Sequence, residues 1–257
     1  MRFITLCVLG LVSYLIAMVV LFPVAPVVER IRPQLGPVAL SGVHGKLYKG
    51  VIDEVRSTDD LLPLSFQNVG WVLAPGTLLR GGAGAQISFD GYGGSGKGLV
   101  ARAWDGSIAV TDFDITAQAK ALEPLLPVPI ASFSGELVGN FDLISIVDNL
   151  LQSVDGTLTW SNAALQTPVP TALGEVVVVI ESQEQQSHVV TLNATGGDIT
   201  MDGSVTLTQS GDFAADVLFT PTPSASPDVL NGLRQMGRAD EQGRVRFQRQ
   251  GNVNRLM

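Results

Sequence analysis

The chain is poor in the residues on which most active sites are built. Its 257 residues include one cysteine and two histidines, and only 16% are charged. The single cysteine, Cys7, lies inside the first apolar run. The rest of the chain therefore has no disulfide, no cysteine-based zinc site and no thiol nucleophile. The absence suits an oxidising compartment. Low charge without low hydrophobicity (46% apolar) excludes a disordered or coiled-coil chain. Basic residues are scarce in the body: Gly36 to Leu233 holds 7 of them against 21 acids. Such an acidic body argues against nucleic acid as a partner. From Arg234 onward the balance reverses, to 6 bases and 2 acids, and alternation favours a solvated strand face over a docking tail for an acidic partner.

Charge is absent altogether from Phe3 to Phe22, FITLCVLGLVSYLIAMVVLF. Twenty helical residues span about 30 Å, the hydrocarbon thickness of a bilayer. A cleaved signal peptide would have a shorter apolar core and a small-residue site, and Ala25 is followed by Pro26, which disfavours cleavage. The expectation is a retained single-pass anchor over residues 1–25. Arg2 precedes it and Arg30 and Arg32 follow, so the flanking charges alone do not orient it. The 235 residues behind the run make a signal-anchor with its bulk outside the cytoplasm the simpler route.

What the chain does have is glycine (28) and proline (14), interleaved with runs of period two. Ser41-Gly42 opens SGVHGKLYKGVID, and polar-Gly pairs recur at Ser134-Gly135, Asp155-Gly156, Asp202-Gly203 and Gln242-Gly243. Each precedes a short alternating run and reads as a strand-starting turn. Strand candidates follow at Lys46–Tyr48, Val51–Ile52, Phe66–Leu73, Ala85–Phe89 and Leu99–Thr111, the last with an Asp105-Gly106 turn inside. Val176–Ile180 and His188–Asn193 flank a polar loop as a hairpin. This is a succession of hairpins rather than βαβ units.

Three helices are expected beyond the apolar run. Pro26–Leu35 is a short one, broken at Pro33. Asp142–Leu151 places Ile144, Val147, Leu150 and Leu151 at helical spacing. SPDVLNGLRQMG is the clearest, with Ser226 as N-cap, Pro227 in the first turn and Gly237 as a left-handed stop. Its expected buried face is Val229, Leu230, Leu233 and Met236. Arg244–Arg249 is a last strand with Val245 and Phe247 on one face.

The fold expectation is mainly β: a transmembrane helix, a linker (26–37), a first β-rich lobe (38–120), a proline-rich connection (121–132) and a second lobe (133–257). The lobes are antiparallel meanders, strongly twisted and either closed or open as a groove. One short helix lies near the C-terminus.

No chemical constellation emerges. GYGGSGKG satisfies seven positions of a phosphate-binding loop, through Gly91, Gly96 and Lys97, but the eighth is Gly98 rather than Ser or Thr. No helix follows to face a phosphate, so a hairpin loop is the better account. His44 and His188 stand far apart without further metal-type neighbours. Asp53, Glu54, Asp59 and Asp60 cluster in a turn-rich stretch where solvated acids are expected. No Gly-x-Ser-x-Gly elbow occurs. Asn193-Ala194-Thr195 matches a glycosylation acceptor, and Trp71 and Trp160 read as strand core. No catalytic, cofactor-binding or metal residues are assigned, no cofactor is expected, and the expectation is that the chain is not an enzyme.

The ordered segments LSGVHGKLYKG, NVGWVLAPGTLLRG, LEPLLPVPIASFSGEL, DGTLTWSNAAL, GGDITMDGSVTLTQSGDF and SPDVLNGLRQMGRADEQGRVRFQRQG carry a resemblance. Together, behind the apolar run, they resemble the N component of the bacterial type II (general) secretion pathway. The family phrase Leu-Trp-x-Gly stands here as Leu47-Tyr48-Lys49-Gly50, which keeps an aromatic in place. The resemblance implies a single-span inner-membrane protein with a periplasmic β-domain. It also implies a non-enzymatic role in exporting folded proteins across the outer membrane, with other inner-membrane and periplasmic components of the system as partners. The Gly-led strands also look like those of AsmA-type periplasmic proteins, which implies, as the alternative, a groove that binds or conveys lipid.

Overall fold

A computed structural model describes residues 2–34, 36–57, 59, 63–125, 131–148, 150–183 and 187–252. Helix α1 (Arg2–Leu21) is followed by α2 (Ala25–Ile31), whose last turn tightens into a 3-10 segment at Arg32–Gln34 as Pro33 removes a backbone donor. Thirteen strands follow. They are β1 (Val38–Gly45), β2 (Lys49–Ser57), β3 (Ser65–Leu73), β4 (Gly82–Gly91), β5 (Gly94–Ala103), β6 (Ile108–Gln118) and β7 (Ser132–Val147). Then come β8 (Leu150–Thr167), β9 (Thr171–Gln183), β10 (Ser187–Gly196), β11 (Ile199–Thr208), β12 (Asp212–Pro221) and β13 (Val245–Asn252). Helix α3 (Pro227–Met236) separates the last two strands. Two further 3-10 segments, Pro75–Arg80 and Ala119–Leu125, join β3 to β4 and β6 to β7.

The strands form one antiparallel sheet in sequence order, β1 at one edge and β13 at the other. Each strand pairs with its chain neighbours, as expected of a meander. β6 and β7 stay in register from Ile108↔Ile146 to Gln118↔Glu136, so the sheet continues past the connection that separates them. Of the proline-rich stretch Ala121–Ile130, the part beyond Leu125 lies outside the described residues. So does the tip of the β9–β10 hairpin, at 184–186.

Because a meander reverses at every turn, its turns fall alternately at two ends of the sheet. The near end carries the β1–β2, β3–β4, β5–β6 and β7–β8 turns. It also receives the N-terminal helices: Leu47 N donates to Phe22 O (3.0 Å), Val24 N donates to Gly45 O (3.2 Å), and Pro23 bridges Lys46. The far end carries α3 and the segment Ala119–Leu125.

Cross-strand register assigns the faces. Ile52↔Val69, Trp71↔Ile87, Phe113↔Phe141, Leu137↔Trp160, Val178↔Leu192 and Met201↔Phe219 place apolar side chains together along one face. The other face bears Asn68 with Asp90, Lys97 with Asp114, and Arg246 with Asp216. Surface pairs of this kind contribute little to stability.

The apolar face is covered only in part. At Ala163, Val176 and Ala194 it is buried beneath Trp160, Leu173 and Leu192. At its far end α3 lays Val229 and Leu233 on Ile199 and Val245. Both core clusters lie between β8 and β13. Among the described residues, β1–β7 contain no such cluster. The molecule exposes 16444 Å², against about 10,800 Å² expected of a compact monomer of this mass.

Several expectations need correction. Asp142–Leu151 is no helix: it spans the end of β7, a turn with Asp148 at φ 51°, and the start of β8. Alternation at both ends of a tight hairpin happened to reproduce helical spacing there. Lys46–Tyr48 is the β1–β2 turn rather than a strand. The polar-Gly pairs do not start strands either, for Gly42, Gly135, Gly156 and Gly203 lie within them. Only Gly243, at φ 78°, turns the chain just before a strand. Gly237 ends α3 in extended backbone (φ 178°), with no left-handed cap. The start of α3 is as expected: Ser226 Oγ accepts from Val229 N at 3.3 Å. Its buried face is Val229 and Leu233, while Met236 is exposed. Among the described residues no helix is long and apolar enough to cross a membrane. The anchor expected at Phe3–Phe22 therefore rests on the uncharged sequence of that run.

Candidate functional site

The feature that sets this sheet apart is the apolar face of β3–β7. An aromatic row crosses it. Phe66 meets Phe89 edge-on, with centroids 4.8 Å apart, and Tyr92 at 5.8 Å. Phe113 lies 6.3 Å from Phe89 and 6.2 Å from Phe141. Edge-to-face and offset contacts in this range are favourable for aromatic quadrupoles.

Glycines on the adjacent strands make room for the rings. A Cβ on Gly98 would lie 2.8 Å from Phe113 Cδ2, and one on Gly156 would lie 2.6 Å from Phe141 Cδ1. No side chain could share those positions with a ring, which explains the glycines within strands better than turn-making does. The sequence GYGGSGKG serves the same architecture. Tyr92 (φ 52°) and Gly93 (φ 73°) form the two-residue turn of the β4–β5 hairpin, and the remaining glycines continue into β5. Lys97 points to the polar face and pairs with Asp114 at 3.3 Å. A strand, not a helix, follows the glycines, so no phosphate cradle forms.

Where the row meets the segment Ala119–Leu125, Leu122 caps a hollow of about 150 Å³ with Tyr92, Ile115, Leu137 and Leu158. Glu123 fixes that segment by accepting from Ser132 Oγ (2.7 Å) and Phe133 N (2.8 Å). These two hydrogen bonds hold its carboxyl below the usual range. Among the described residues the lining is almost wholly apolar and includes no carboxylate, histidine, lysine or cysteine. Chemically the face can shelter an apolar chain or an apolar partner segment.

The other candidates are dispersed. His44 Nε2 lies 3.1 Å from Asp53 Oδ2 on exposed β1 and β2, and Glu54 pairs with Arg56. His188 is buried on β10 with Nδ1 3.3 Å from Ser182 Oγ. Asp60 lies outside the described residues. Among those described, no group of three His, Cys, Asp or Glu side chains could hold a metal. Asn193 is on β10, within hydrogen-bond reach of Asp202, and Ala194 beside it is fully buried. Trp71 and Trp160 are half-buried strand residues whose Nε1 atoms donate to Leu47 O and Ser134 O, both at 3.0 Å. Two of the C-terminal arginines are paired within the chain. Arg246 forks onto both oxygens of Asp216, with Nε 2.8 Å from Oδ1, and Arg244 holds Asp240. Hydrogen bonds from Arg246, then Gln248, bring the Asp216 carboxyl down to about 2.

Fold and site together define a non-globular class: an open antiparallel meander behind an apolar helix, apolar on one face and without a catalytic cluster among the described residues. The chain belongs to the family described as type II secretion system (T2SS), protein N, whose pattern matches residues 36–248. It is 29% identical over 224 residues to the type II secretion system protein N of Vibrio cholerae serotype O1, covering 83% of this chain and 84% of that protein. To the type II secretion system protein N of Aeromonas hydrophila it is 25% identical over 254 residues, covering 95% and 96%. No solved structure matches.

Proposed function

We propose that this chain is a non-enzymatic component of a bacterial type II secretion system, held in the inner membrane by the run Phe3–Phe22 with its sheet in the periplasm. There it supports export of folded proteins across the outer membrane through contacts with other parts of the system. The reading is carried by the family match across residues 36–248, nearly the whole sheet. It is supported by twenty uncharged residues ahead of that sheet and, among the described residues, by a surface without convergent acid–base groups. Residues 1–25 act as the anchor, 26–37 as the linker, and 38–120 and 133–257 as two lobes of one sheet joined at 121–132. Deleting the gene is expected to trap exoproteins in the periplasm, read as their loss from the culture medium. Full secretion, with no platform protein captured by the membrane-embedded chain, would contradict it.

A second reading is favoured by one observation, the uncovered apolar face of β3–β7. A sheet face of this kind is normally covered by another layer or by a ligand. In that reading the face shelters lipid. Phospholipid retained through detergent purification of the full chain, and lost from a Phe113→Asp variant, supports it; a lipid-free preparation contradicts it.

A further inference from the structure

Among the described residues, the two ends of the sheet differ in what they show to solvent. Beyond the N-terminal helices, eight large hydrophobic side chains are exposed among the described residues, and seven lie at or beside the near end. Leu78 (54%) and Leu79 (93%) project from the β3–β4 turn, Trp104 (70%) from the β5–β6 turn, and Leu150 and Leu151 from the β7–β8 turn. Among the described residues the far end shows one, Met236; the β2–β3 and β6–β7 connections at that end lie partly outside them. Nothing in the fold of the sheet requires this. Turn residues at the near end could all be polar, as Gln209-Ser210-Gly211 is between β11 and β12.

Basic residues gather along the part of this end between β1 and β6. Of the seven basic residues between Gly36 and Leu233, four flank this rim: Lys46, Lys49, Arg80 and Arg102. Among the described residues none of the four is in an ion pair. In a body of 21 acids that is an uneven allotment. Asp105 and Asp148 are the acids of the β5–β6 and β7–β8 turns, and Glu181 and Asp212 stand further along the same end, beside the β9–β10 and β11–β12 turns.

The tether is the third observation. The apolar helix α1 ends at this same end, where Phe22 and Val24 hydrogen-bond Leu47 and Gly45 of the β1–β2 turn. Leucine and tryptophan side chains beside unpaired bases match the interface of a bilayer with anionic headgroups. We propose that the near-end rim, through Leu78, Leu79, Trp104, Leu150 and Leu151, is a lipid-docking surface that seats in the anionic membrane interface. The uncovered face of β3–β7 then opens directly onto the bilayer. This rests on the anchored reading of α1.

The full-length chain carries its own control, because Cys7 in α1 is its only cysteine. A fluorophore on Cys7 reports the anchor. In a Cys7→Ser background, Leu79→Cys and Trp104→Cys report the rim, and Ser224→Cys reports the far end. Each is reconstituted into vesicles of phosphatidylethanolamine and phosphatidylglycerol and quenched by nitroxide-labelled lipid. The Cys7 label is expected to be quenched. The two rim labels are expected to shift to the blue and to be quenched severalfold more than the Ser224 label. Arg80→Gln is expected to lower rim quenching by up to about fivefold, the factor one basic residue contributes near an anionic surface. With Cys7 quenched and rim labels no more quenched than Ser224, the rim inference is overturned while the anchor stands. Rim labels that shift to the blue without lipid quenching assign the rim to a second copy of the chain and overturn it. An unquenched Cys7 label overturns both readings.

Discussion

β8–β13 and β1–β7 belong to one sheet and follow one strand pattern, yet only the first group has a core of its own. Between β8 and β13, α3 supplies a second layer, and Val245 and Ala194 are completely buried. Between β1 and β7 the same kind of apolar face carries half-exposed aromatics, and among the described residues only α2, the segment Pro75–Arg80 and the segment Ala119–Leu125 pack against the strands at their ends. Hydrophobic burial is the main favourable term in folding. An apolar face left open therefore gives up stability that the chain could have had from one more helix. β8–β13 thus hold the buried clusters of the sheet, while β1–β7 leave an apolar surface largely uncovered among the described residues.

The largest effect that bears on this division should come from the covered half. Leu233→Ala removes the α3 side chain buried on Ile199 and Val245, and is expected to cost about 3 kcal/mol. Urea unfolding followed by Trp160 fluorescence measures it; an unchanged midpoint would mean that α3 contributes no core. Next is Gly98→Val, whose Cβ meets Phe113 at both ring and backbone. Overpacking of this kind costs about 2 kcal/mol, and the expected signature is an earlier transition in Trp71 fluorescence. Phe113→Ala should be milder, at about 1 kcal/mol, because its ring is only partly withdrawn from water in the isolated chain. A loss as large as that of Leu233→Ala would show that β1–β7 are as well covered as β8–β13.

The smallest effect is electrostatic and belongs to the polar face. Arg246 and Gln248 hold Asp216 at about 2, below its ordinary 3.8. The folded chain thus binds this proton less readily than the unfolded one. The resulting stability is present above pH 3.8 and disappears as pH falls from there through about 2. Asp216→Asn is expected to flatten that acid limb of the stability curve slightly; an unaltered limb would remove Asp216 from the account.

Local signals carried much of the fold. Ser226-Pro227 marked the start of α3 because a cap and a first-turn proline act within one turn of chain. The antiparallel meander class followed from hairpin spacing, though the pairing of particular strands did not, and the alternation of Val245 to Arg249 marked the last strand. What failed was whatever depended on a partner across a strand. Gly156 and Gly203 looked like turn residues because Phe141 and Val217, which press on them, are 15 and 14 positions away. Ile144 to Leu151 mimicked a helix because a tight hairpin brings two apolar ends together. The aromatic row was invisible for the same reason: Phe66, Phe89, Phe113 and Phe141 become neighbours only once four separate strands are aligned. Leu79 and Trp104 looked like isolated loop residues until the meander placed their turns at one end.

The proposed role requires the uncovered face of β1–β7 to be the working surface of a secretion component. The direct test is complementation of a deletion strain with the full chain carrying Phe113→Asp, which spoils that face, beside Asp216→Asn on the polar face. Chain abundance in the membrane fraction is measured in both strains. Exoprotein should appear in the medium with Asp216→Asn and remain in the periplasm with Phe113→Asp at equal abundance. Full secretion by an abundant Phe113→Asp chain would contradict the account.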